Sequence, residues 1–132
     1  MEINKFLERF HLFYDSVIRN VKISFQNKSS ATSIEIIISA RDRDNVILEN
    51  AGWVNVFIEI DEVIEFNFCE YSKESYQVLS NGLHIIEAKN FLYFDFGFHI
   101  DVPKNFKEFK KSNFYVVGKN LTWTVKDYQD FS

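Results

Sequence analysis

An antiparallel β sandwich or partly open barrel of about eight strands, behind one short N-terminal helix, is the fold expected of this 132-residue chain. Three features carry that expectation. From Val17 to Lys126 apolar residues recur at every second position in short runs separated by polar turns, the pattern of antiparallel sandwiches and barrels. The helical period is confined to the first dozen or so residues. The 15 Phe, 6 Tyr and 2 Trp supply large core side chains, and 46% apolar against 26% charged excludes a disordered or collagen-like chain. At about 100–200 residues per domain, residues 1–132 form a single domain.

Ile3, Phe6, Leu7 and Phe10 stand at i, i+3, i+4 and i+7, which places them on one stripe of a helix that Phe13 and Tyr14 continue. The period then becomes two. Val17, Val21, Ile23 and Phe25 form one run, and after the polar turn Gln26 to Ser30, Ile34, Ile36, Ile38 and Ala40 form its hairpin partner. Arg41 to Asn45 and Asn50 to Gly52 are loops. Val54, Val56, Ile58 and Ile60 make a third strand, and Ile64, Phe66 and Phe68 a fourth, joined by a tight connection at Asp61-Glu62. Asn81-Gly82, both tolerant of positive φ, predicts a hairpin of Tyr76 to Leu79 with Leu83 to Glu87. Phe91 to Val102 alternates throughout, with Leu92, Phe94, Phe96, Phe98, Ile100 and Val102 inward, until Pro103 ends it. After a solvated lysine connector, Phe114 to Gly118 and Leu121 to Lys126 make a last hairpin around Lys119-Asn120. Only four glycines serve these turns, so the twelve asparagines must share the work.

The net charge of −4 is unevenly spread: residues 1–44 carry +1, residues 45–101 carry −8 and residues 102–132 carry +3. Glu59, Asp61, Glu62, Glu65, Glu70 and Glu74 face only Lys73 within the acidic block, and the proposed hairpin lines the first four along its outward face and tip. Such a field repels phosphate backbones, so nucleic acid is excluded as a partner. Lys104, Lys107, Lys110 and Lys111 are interrupted by Glu108, Phe106 and Phe109, a connector rather than a binding arm. Cys69 is the one cysteine, so neither an intrachain disulfide nor a multi-cysteine zinc site forms. Charges scattered through the first sixteen residues leave no room for a signal peptide, and no apolar run approaches the roughly 18 residues of a membrane helix. A cytoplasmic location without membrane contact is expected.

Candidate chemistry is sparse. Pairing Leu83 to Ala88 with Phe91 to Phe96 across Lys89-Asn90 sets His84 opposite Asp95 and groups both with His99 and Asp101. That set could hold a metal or orient a general base, although such pairs are ordinary on a solvated sheet face. Asp61-Glu62, and Asp42 and Asp44 around Arg43, belong to no calcium loop, and no phosphate cradle, nucleophile elbow or zinc-helix motif occurs. Cys69 has no neighbouring His and reads as a packed small residue. Trp53, Tyr71, Tyr76, Tyr115 and Trp123 divide between core and interface anchors.

Gln77 to Leu83 (QVLSNGL), Tyr93 to Gly97 (YFDFG) and Ser112 to Lys119 (SNFYVVGK), with Trp123, resemble a loose group of small bacterial β-rich proteins. Some of these resemble immunity proteins of polymorphic or contact-dependent toxin systems. The resemblance spans the last two-thirds of the chain and implies a non-enzymatic, cofactor-free protein that binds and neutralises a cognate toxin domain. The acidic residues Glu59, Asp61, Glu62, Glu65, Glu70 and Glu74 suit a basic toxin surface, speeding association and penalising wrong partners. Two alternatives stay open: a small metal-binding or hydrolytic enzyme using His84, Asp95 and His99, and a module that homodimerises through exposed sheet edges.

Overall fold

The runs with the cleanest alternation form the middle of the molecule. In the computed structural model, which describes residues 2–25, 31–45, 49–69 and 78–129, Ile34, Ile36, Ile38 and Ala40 are buried along one face of a strand. Val54, Val56, Ile58 and Ile60 are buried beside them. Five strands make the first sheet: β1 (Ser16–Phe25), β2 (Thr32–Arg41), β3 (Trp53–Val63), β5 (Val78–Leu79) and β9 (Asn120–Asp127), in the order β5-β1-β2-β3-β9. Four make the second: β4 (Glu65–Phe68), β6 (Leu83–Glu87), β7 (Leu92–Phe96) and β8 (Phe114–Gly118), in the order β4-β8-β7-β6. Every pairing is antiparallel. The sheets pack face to face without closing into a barrel, and one core joins Ile36 and Val56 of the first to Phe94, Phe96, Phe114 and Val116 of the second.

The helical stripe is present as α1 (Ile3–Arg9), whose Ile3, Phe6 and Leu7 are buried. Phe6 and Phe10 set their rings 5.0 and 5.7 Å from that of Trp123 on β9. The helical path ends at Phe10, and His11, Leu12 and Phe13 all take positive φ, so Phe13 reaches the core while Tyr14 stays exposed. Arg9 donates two 3.0 Å hydrogen bonds to the buried carboxylate of Asp42, tying the helix to the end of β2. Burial works against the charged form of Asp42, yet these bonds hold its pKa below the ordinary value, and Arg9 is raised in turn.

Several local expectations fail for related reasons. In β1 the single alternation of Val17, Val21, Ile23 and Phe25 is broken by a bulge at Arg19: Ile18 faces Ile38 and Val21 faces Ile36, so the inward parity changes once along the strand. Asp61-Glu62 is not a turn. β3 runs on to Val63, with Glu62 at φ 50, and the chain crosses there into the second sheet. Ile64, Phe66 and Phe68, expected inside, are exposed: Ile64 lies in the link before β4, and Phe66 and Phe68 share the parity of the buried Val116 and Phe114 but stand on the edge strand of the sheet. Asn81-Gly82 turns the chain between sheets: Val78 and Leu79 pair with β1, and the Tyr76-Gln77 part of that expected strand lies outside the described residues. The expected last hairpin also divides. β8 pairs with β4 and β7, and β9 pairs with β3. A Cβ on Gly118 would stand 2.6 Å from Ile60 Cγ2 and 3.0 Å from the Asp61 carbonyl, so the crossing out of β8 requires glycine.

The long run Phe91 to Val102 is a strand only as far as Phe96. Gly97 turns to φ 88, and Phe98, Ile100 and Val102 beyond it are exposed. The lysine connector contains a second short helix, α2 (Phe106–Phe109), capped by the Asn105 side chain accepting from the Glu108 amide at 2.8 Å. It seats the buried Phe109 on the outer face of the second sheet, against Tyr115 and Val117.

Candidate functional site

The outer face of the first sheet is built by strict alternation on three neighbouring strands. Register sets Glu35 of β2 opposite Glu59 of β3 and Glu59 opposite Thr122 of β9; the next row sets Ile37 opposite Phe57 and Phe57 opposite Thr124. Glu59 and Asp61, two residues apart on one strand, project from the same side. Together with Asn20 these rows line a shallow hollow with an apolar floor of Ile37 and Phe57 and an acidic rim. Lys22 stands opposite Glu35 in register and Lys126 lies 4.5 Å over the Phe57 ring. Among the described residues neither makes an ion pair with Glu35, Glu59 or Asp61.

The electrostatic result is repulsion held in place by the sheet. The negative charge of Asp61 raises the pKa of Glu59, with partial burial, a hydrogen bond shared with Asp61, and Glu35 adding to it. At the other end the face is closed: Asn55 donates to the Gln129 carbonyl at 3.2 Å, Ser39 donates to Asn55 at 2.6 Å, and Arg19 donates to Ser39 and to the Tyr128 hydroxyl. This network explains why Ser39 and Asn55, at outward positions, are buried.

The acidic residues singled out from the sequence therefore part company. Glu59 and Asp61 share the open face, and Glu35, which sequence reading left out of the set, joins them; the signal was its outward parity on β2, but its partner could only come from the register. Glu62 sits at the crossing between sheets, 3.8 Å from Lys119. Glu65 belongs to the other sheet, where it accepts from the Tyr115 hydroxyl at 2.8 Å and meets Lys110 at 3.0 Å. Partial burial acts to raise Glu65, but these two donors leave its pKa lowered, while burial and the Glu65 charge push Tyr115 up to about 12. The expected line of four carboxylates along one hairpin is thus replaced by three separate settings. Glu70 and Glu74 lie outside the described residues.

The His84–Asp95 pairing forms as expected, yet each group is engaged structurally. The buried Asp95 carboxylate accepts from the Ser112 hydroxyl at 2.6 Å and from the amides of His99 at 2.9 Å and Phe98 at 3.4 Å, clamping the turn at Gly97. His84 Nε2 bonds the His99 carbonyl at 2.8 Å, and the His99 ring faces the Phe109 carbonyl at 3.5 Å. The three side chains do not converge on a common point, and among the described residues no group of three His, Cys, Asp or Glu is placed to hold a metal ion. Among the aromatics, Tyr115 is buried, Trp123 packs against Phe6 and Phe10, and Arg41 lies 5.5 Å from the Trp53 ring; Tyr71 and Tyr76 lie outside the described residues. No helix among the described residues is long and apolar enough to cross a membrane. Compared with family models, curated proteins and solved structures, the chain matches none.

Proposed function

We propose that this chain is a protein-binding module, not an enzyme, that docks a basic partner on the outer face of its first sheet. The partner implied by the immunity-protein resemblance is a toxin domain, neutralised by steric cover. The observation that carries the reading is the adjacency of Glu35, Glu59 and Asp61 on an open sheet face without an ion pair among the described residues. Like charges set opposite one another destabilise a sheet, and lysines or arginines of a partner would relieve that repulsion. The apolar floor of Ile37 and Phe57 gives the partner a patch to desolvate between the charges. Charges around such a patch chiefly govern association rate and partner choice.

The test is to co-express the chain with the product of its neighbouring gene, confirm a complex, and measure association rates at low and high salt. Reversal of two face charges in Glu59→Lys/Asp61→Lys is expected to slow association about tenfold at low salt, a difference that salt screening shrinks. Glu87→Lys, an exposed charge on β6, is expected to leave the rate unchanged. Equal rates for the reversed and parent proteins, independent of salt, would remove the acidic face from the mechanism.

A further inference from the structure

Among the described residues β9 is a long open edge; β1 from Ile18 to Phe25 is another, since β5 pairs only with Ser16 and Val17, but that stretch carries a bulge at Arg19 and the charges of Arg19 and Lys22. The other edge strands are short: two residues in β5, four in β4 and five in β6, against eight in β9. Among the described residues β9 pairs only with β3, over eight consecutive positions without a bulge, and no backbone hydrogen bond leaves its other side. It contains neither Pro nor Gly, and its two charges, Lys126 and Asp127, stand at its end. Proteins ordinarily blunt an edge with short strands, prolines, bulges or central charges, because a free row of N–H and C=O groups templates another strand. No proline, bulge or charge stands along Leu121 to Val125, and the helical segment reaches this stretch only at the inner-face ring of Trp123.

The same stretch is symmetrical about its centre. Leu121-Thr122-Trp123-Thr124-Val125 reads apolar, Thr, Trp, Thr, apolar in either direction. We propose that a second copy of this chain pairs antiparallel along β9, with Trp123 on the two-fold axis, joining the two five-stranded sheets into one of ten strands. In that register Thr122 faces Thr124 of the second copy, Leu121 faces Val125, and Lys126 faces Asn120. Polar residues thus meet on the outer face, apolar residues meet on the inner face, and no like charges face each other. A slip of one residue would set inner-face side chains against outer-face ones, and a slip of two shortens the overlap or sets Leu121 opposite Asp127. Trp123 is half-buried, with Phe6 and Phe10 beside its ring and the Arg9 guanidinium 5.3 Å over it. Thr122 and Thr124 also border the acidic hollow, so the dimer is followed by mass and amide exchange and not by partner binding.

Sedimentation velocity on the purified chain from micromolar to submillimolar concentration tests it, with the mass expected to rise from 15.7 kDa to twice that value. T122K/T124K sets lysine against lysine twice and is expected to weaken the dimer at least tenfold while the circular dichroism spectrum stays unchanged. T122K/T124E sets lysine against glutamate in this register and in neither two-residue slip, and is expected to restore the dimer. Hydrogen exchange of the parent, in which β9 amides gain protection with concentration and β5 amides do not, decides the matter even if T122K/T124K misfolds. A parent that stays monomeric, a dimer that survives folded T122K/T124K, a failure of T122K/T124E to restore it, or β9 exchange independent of concentration would each overturn the proposal.

Discussion

Glu59 and Glu65 are six residues apart in one chain, and their environments move their carboxyl groups in opposite directions. The difference lies in what covers each sheet. On the outer face of the second sheet α2 lays Phe109 over Tyr115 and Val117, with Tyr93 packed alongside, so that face carries a small core of its own and Glu65 has Tyr115 and Lys110 as donors. Among the described residues the first sheet has no such cover over Ile37, Phe57 and the carboxylates beside them; Tyr128 and Gln129 cross its far end. A count of acidic residues therefore does not locate an interface. The better marker for a proposed interface is charge left without an ion pair among the described residues.

The largest expected effect breaks this comparison at its apolar centres. Phe109→Ala should cost about 3–5 kcal/mol, the usual range for a buried Phe, because its ring is 1% exposed and contacts Tyr93 and Tyr115 at 5.4 Å between centroids. Phe57→Ala, on the open face, gives up cross-strand contacts and the Lys126 contact, for about 1 kcal/mol or less. Urea midpoints of the two variants measure the gap. Equal losses would mean that the first sheet's outer face is as much a core as the second's.

How much of this was legible follows from which physics set each feature. The inward faces of β2 and β3, though not the end of β3, were read correctly because one face of each is buried, and a buried face imposes a period of two. Sheet membership was not legible. The turn at Asn81-Gly82 and the link at Lys119 have the chemistry of hairpins, but in a sandwich such turns also carry the chain between layers, and the choice depends on packing far away in sequence. The exposed Phe98, Ile100 and Val102 continue the β7 alternation in parity alone; Gly97 inside the run was the available signal for a break. Glu35 was missed because its neighbour Glu59 is 24 residues away, and only register joins them. The bulge at Arg19 left its mark as two adjacent apolar residues, Val17 and Ile18, with Ile18 the buried one.

A smaller effect sharpens the contrast at Tyr115. Tyr115→Phe keeps the ring in the small core and removes the 2.8 Å hydrogen bond to Glu65. Because Glu65 is about a third exposed and retains Lys110, the loss should be about 1 kcal/mol or less, well below that of a buried unsatisfied charge. The Glu65 carboxyl, followed by NMR titration, should move up from its lowered value. An unmoved Glu65 would show that Lys110 alone holds it.

The smallest effect is a difference in sign with pH. Glu65 has its folded pKa below the ordinary 4.5, so its carboxylate contributes stability that is fully present above that value and is lost as pH falls through the folded pKa. Glu59 is the reverse: its folded pKa lies above 4.5, so its charge costs stability at neutral pH, and that cost fades as pH falls through the folded pKa and is gone below 4.5. Thermal melts from about pH 3 to about pH 8 should therefore show Glu65→Gln less stable than the parent at neutral pH and Glu59→Gln more stable, each by about a few tenths of a kcal/mol, with both differences shrinking in acid. A stabilising Glu65→Gln or a destabilising Glu59→Gln at neutral pH would reverse the assignment of satisfied and unsatisfied faces. Binding takes the opposite sign at Glu59. A basic partner that relieves the repulsion favours ionised Glu59 and lowers its pKa, so complex formation releases a proton and tightens as pH rises through the free protein's Glu59 pKa.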